Sequence, residues 1–137
     1  MLLAAVLATG VFAVILGVLH FTFPRRFGFL ELLAGDQPAP PPFRLGPYRK
    51  DLSRSDVLGV VYVMNHCASF VILSIGAFDL CAPLWLGASA GAVASLWAAG
   101  FWWVRAVAQV HVGRRRGDWL VMAFFTALGV VQALAAT

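Results

Sequence analysis

Four long uncharged apolar stretches divide the chain: Leu2–Phe23, Val57–Phe78, Leu84–Val104 and Trp119–Ala136. Each approaches the ~20 residues that a helix needs to cross a ~30 Å hydrocarbon core. The third continues helically past Arg105, so the predicted spans are 2–23, 57–78, 84–110 and 119–136. The sequence therefore predicts an all-α membrane protein, a four-transmembrane-helix bundle forming one integral membrane domain over 1–137. A soluble fold is excluded, because four such runs exposed to water would aggregate.

Within each stretch a residue advances ~100° around the helix. On the second, Gly59, Tyr62, Asn65, His66, Ser69 and Gly76 gather on one side. Val57, Val60, Val61, Met64, Ala68, Val71, Ile75 and Phe78 make the opposite, lipid-facing side. On the first, His20 aligns with Thr9, Gly10, Ala13 and Gly17; on the third, Arg105 aligns with Gly87, Gly91, Ala94, Ala98, Phe101 and Gln109. The fourth collects Met122, Phe125, Thr126, Gly129, Gln132 and Ala133. One small or polar stripe per helix is the pattern of a bundle with its polar groups inside.

The links carry their own signals. Loop 24–56 is long and holds a proline-rich segment, 37–43, expected to be extended. The loop reads as a spacer or as a cap over the cytoplasmic mouth. Before the prolines, Phe27, Phe29, Leu30, Leu32 and Leu33 form a short apolar run suited to the headgroup layer. Ser53 and Asp56 have capping-box spacing, and Asp118 is expected to be the N-cap of the last helix. Trp85 and Trp119 stand where interfacial aromatics belong. Gly87 and Gly91 form a GxxxG element that would let another helix approach.

Charge then orients the molecule. All ten Lys and Arg residues lie in loop 24–56 or around the end of the third stretch. By the positive-inside rule this gives an N-out/C-out topology with loops 24–56 and 111–118 cytoplasmic. The net charge of +4 serves topology and attraction to membrane lipids. No nucleic-acid partner is expected, since no basic patch interleaves with exposed aromatics. The first stretch lacks a basic n-region and is too long for a signal peptide, so it is read as retained. One Lys against nine Arg suggests a bacterial protein, placed in the cell (inner) membrane. Cys67 and Cys81 are too far apart along the chain to pair, and Cys67 reads as a small packing residue.

Direction and depth together predict a cytoplasm-facing polar cluster: His20, Tyr62, Asn65, His66, Arg105 and Gln109. Arg105 is its most telling member, because an arginine within a span costs ~2.5–3.5 kcal/mol on insertion scales and cannot shed its proton. No acid lies inside a predicted span to pair with it, Asp79 being assigned to the outer link Asp79–Pro83. The same lack argues against ion-coupled export. No metal-ligand spacing, nucleophile elbow or phosphate-cradling loop is present. No cofactor is expected; a b-type haem between His20 and His111 is disfavoured because His111 projects ~120° from Arg105's face.

Three functions fit. The first is a site that binds an anionic amphipathic ligand of lipid or isoprenoid type, with or without acting on it. The second is a non-enzymatic accessory subunit of a larger membrane complex, docked through the Gly87–Gly91 face or the proline-rich loop. The third is a small haem- or quinone-binding redox subunit. A polar stripe closed by its own hydrogen bonds, with no cavity, favours the second over the first.

Overall fold

A segment in hydrocarbon must satisfy its backbone N–H and C=O groups internally, and helix is the simplest solution. A computed structural model describes residues 1–34, 41–51, 53–111 and 115–137. The elements are α1 (Leu2–Phe21), α2 (Phe23–Arg26), α3 (Phe29–Ala34), a hairpin of β1 (Phe43–Leu45) and β2 (Tyr48–Lys50), α4 (Arg54–Leu80), α5 (Ala82–Trp85), α6 (Ser89–Ala108), a 3-10 turn (Gln109–His111) and α7 (Arg116–Ala135). Much of the proline-rich segment lies outside the described residues.

Three helices, α1, α4 and α7, are long and apolar enough to cross a membrane. The predicted third span is altered at both ends. Pro83 opens the single turn of α5, and Gly87 then takes a left-handed φ of +89°, so α6 starts at Ser89 rather than at 84. At its other end the chain tightens into the 3-10 turn. α6 is 20 residues long, but Ala, Gly, Ser, three tryptophans and Arg105 dilute its apolar character. The second span is longer than predicted: α4 has 27 residues and includes Asp79, which the sequence reading had put in a link.

The chain packs as two units, one of Met1–Val14 with Ser74–Thr137 and one of Ile15–Leu73. In the first, α1 and α4 cross at Gly10 and Gly76. A Cβ on Gly10 would lie 3.2 Å from the Gly76 carbonyl oxygen, and one on Gly76 would lie 2.8 Å from the Val14 nitrogen. Small residues thus allow backbone to meet backbone. Gly129 of α7 does the same for the Trp103 indole, while Trp102, wholly buried, stacks on Phe125 at 5.5 Å and 10°. Trp85 closes the α4–α6 link. Its indole N–H donates to the Phe78 carbonyl (2.6 Å), its ring stacks on Phe78 at 4.1 Å, and Gly91 leaves room for it. The two glycines of the GxxxG element therefore have local uses: Gly87 turns the chain and Gly91 accommodates Trp85.

In the second unit, α1 packs on α4 where Gly17 meets Leu73. Gly28, with φ +59°, turns the chain between α2 and α3, and Phe27 and Leu30 are exposed. The hairpin pairs Phe43 with Lys50 and Leu45 with Tyr48 around Gly46-Pro47. Gly46 has φ +57° and stands first in the turn, as a type II′ connection requires. The Ser53–Asp56 box forms as expected: the Ser53 N–H donates to Asp56 (2.8 Å) and the Asp56 N–H to Ser53 Oγ (3.1 Å).

The buried face of α4 is rotated from the predicted one by roughly one ~100° residue step. It runs through Ser69, Ile72, Ile75, Gly76 and Asp79. Ile75, expected toward lipid, is 2% exposed, whereas Gly59 and His66, expected inside, are exposed. Val60 and Met64 are exposed as predicted. Cys67 is also exposed, so it is not the packing residue the sequence suggested.

Candidate functional site

The six residues of the predicted cluster belong to two separate groups. Arg105 and Gln109 belong to the first unit; His20, Tyr62, Asn65 and His66 belong to the second.

Around Arg105, helical spacing does the positioning. Gln109 lies one turn after Arg105, and its Oε1 accepts from the Arg105 guanidinium at 2.8 Å. The Gln109 amide in turn donates to Asp118 Oδ1 (3.1 Å). Asp118 Oδ2 accepts the backbone N–H of Arg115 (2.9 Å), so Asp118 caps the first turn of α7 from its third position, not as the N-cap residue. The guanidinium also lies 4.7 Å from the centroid of the Phe125 ring. Arg105 thus reaches a carboxylate through one amide, a partner the sequence reading found absent because Asp118 lies outside the predicted span. The space beside Gln109, Asp118 and Met122 admits no water-sized molecule.

A hydrogen bond to a charged group contributes about 1.5–3 kcal/mol, and a cation–π contact about 0.5–2 kcal/mol. Together they hold the guanidinium in the last turn of α6.

In the second unit, proton counting defines the histidine. Ser69 Oγ donates its one proton to the Asn65 carbonyl at 2.7 Å. His20 Nδ1, 3.0 Å from the same Oγ, must then be the N–H donor. Asn65 Nδ2 donates to the His20 backbone carbonyl (3.0 Å). His20 and Asn65 therefore fasten α1 to α4. His66 lies outside this tie, with its ring 5.4 Å from Phe21 and 6.1 Å from Tyr62. His111 is exposed on the 3-10 turn.

A third polar group was missed. Asp79 is 0% exposed. Gln132 Nε2 stands 2.7 Å from each of its carboxyl oxygens, and Thr9 Oγ1 lies 3.0 Å from Oδ2. Thr9 and Gln132 were each assigned to the interior stripe of their helix; Asp79 was lost because a charge after an apolar run reads as a boundary. Among the described residues, no cationic side chain contacts it. Three polar stripes meeting at one level was the signal available.

No family model matches the chain, and neither a curated protein nor a solved structure matches it.

Proposed function

We propose that this chain is a non-enzymatic accessory subunit of a larger membrane complex. α1, α4, α6 and α7 form its four spans, N-out/C-out, in a bacterial cell membrane. The observation that carries this reading is the Arg105–Gln109–Asp118 series, in which the guanidinium is tied to its own chain through one amide. The His20–Ser69–Asn65 tie has the same character. Interior polarity then serves helix packing, which suits a protein whose work is done through its outer surface.

Native electrophoresis after cross-linking in cells tests this. Wild type and Arg105→Lys should run in the same discrete complex, larger than the chain itself. Recovery of free monomer alone overturns the proposal. The orientation is checked with a C-terminal reporter, which should be active only when it works outside the cytoplasm.

A second reading keeps one supporting observation. Among the described residues Arg105 donates a single side-chain hydrogen bond and is only half-buried. Its remaining N–H groups suit the planar anion of a lipid or isoprenoid phosphate. Under that reading an anionic lipid co-purifies with wild type and is lost in Arg105→Lys.

A further inference from the structure

We propose that Asp79 is a proton-binding site, carried as the neutral carboxylic acid when α1, α4 and α7 are packed together. The argument begins with the count of hydrogens. Thr9 Oγ1 lies 2.7 Å from the Val6 carbonyl oxygen and 3.0 Å from Asp79 Oδ2. A hydroxyl has one proton and cannot fully serve two acceptors. The shorter contact takes the larger share of it, and a proton on Asp79 gives the Thr9–Asp79 contact a hydrogen of its own. With Asp79 protonated, its O–H donates to Thr9, Thr9 donates to Val6, and the Gln132 amide donates to the acid's carbonyl oxygen.

A second observation concerns Gln132. Its Oε1 is buried and has no hydrogen-bond partner, although its Nε2 lies against both carboxyl oxygens. The two atoms of an amide are exchanged by a simple flip. With its proton directed at Thr9, a protonated Asp79 accepts from Nε2; in the flipped orientation it would donate to Oε1 in place of Thr9. An ionised carboxylate can use only the first.

The surroundings favour the same form. Asp79 lies in the last turn of α4 and Gln132 in the last turn of α7, where the helix dipoles present their negative ends. Of the elements packed on Asp79, α1 contributes Thr9 and α7 contributes Gln132, neither of which ionises. A buried carboxylate without a counter-charge costs several kcal/mol, and the neutral acid avoids most of that. When the helices part, Asp79 meets water and its O–H bond breaks heterolytically. The electron pair stays on the carboxylate and the proton goes to solvent. Opening this contact therefore releases one proton per chain.

Infrared spectroscopy of the intact protein in lipid nanodiscs reads the state directly. Wild type at neutral pH should show a carboxylic-acid C=O stretch that is missing in Asp79→Asn. Thr9→Val keeps Asp79 and removes its acceptor, so the same band should persist at a shifted frequency. This assigns the band even if the Asn variant fails to fold. The melting temperature of wild type should fall as pH rises upward from the acid range, with a smaller fall in Asp79→Asn, because the packed state keeps a proton that the parted state gives up. Absence of the acid band in wild type at neutral pH overturns the proposal. So does specific stabilisation by sodium ions over a bulky organic cation, which would mark an ionised carboxylate holding a metal cation.

Discussion

Arg105 and Asp79 are both ionisable side chains on helices of the same unit, and the chain treats them in opposite ways. Arginine keeps its charge under every condition a membrane offers, so charge has to be brought to it. A glutamine, a carboxylate one step further on and an aromatic ring supply it. Asp79 receives only a hydroxyl and an amide, both neutral. The difference follows from chemistry: a guanidinium must be solvated by the protein, whereas a carboxyl can give up its charge. An interior acid thus needs no opposite partner, and an interior arginine does.

Substitutions can break this contrast. The largest effect is expected at Gln132→Leu, which leaves the buried acid without its amide donor. Melting in detergent should show a loss of about 1–3 kcal/mol, the cost of an unsatisfied buried polar group. Asp118→Ala comes next. It removes both the end of the Arg105 series and the cap of α7, at a cost of about 1–2 kcal/mol. The double variant with Arg105→Met should recover part of that loss, since the Met side chain leaves no charge to solvate. A double-mutant cycle should give a coupling on the order of 0.5–3 kcal/mol. Additive losses would mean that Arg105 and Asp118 do not communicate through Gln109. Ser69→Ala is the mildest, at about 1 kcal/mol, because it removes one acceptor from the His20 tie. The Asn65 bond to the His20 carbonyl remains.

Much of this arrangement was legible before any coordinates. The stripe Thr9, Gly10, Ala13, Gly17 and His20 on α1 is buried or partly buried as periodicity predicts. Asn65, Arg105 and Gln109 were read as members of one ligand-binding cluster; the hydrogen bonds tie Asn65 to His20, and Arg105 to Gln109 and Asp118. Partner identity was not legible, because it depends on how each helix is rotated against the next. A rotation of about one residue brought Ile75 and Asp79 inward and put His66 outside. Asp79 was not legible as an interior residue, because a charged residue after an apolar run has the pattern of a span boundary. The hairpin was overlooked because the prolines before it dominated the reading, although Leu45-Gly46-Pro47-Tyr48 carries the turn signal.

The Asp79–Gln132 contact also sets a clock for biogenesis. Gln132 follows Asp79 by 53 residues, so at about 5–20 residues per second the ribosome needs several seconds to supply it. Through that interval the acid has Thr9, already synthesised, and whatever water or headgroup lies near. α7 is the helix that shuts the carboxyl away. A nascent chain stalled before α7 emerges should therefore hold an Asp79 that still exchanges its proton with solvent, and synthesis of α7 should end that exchange.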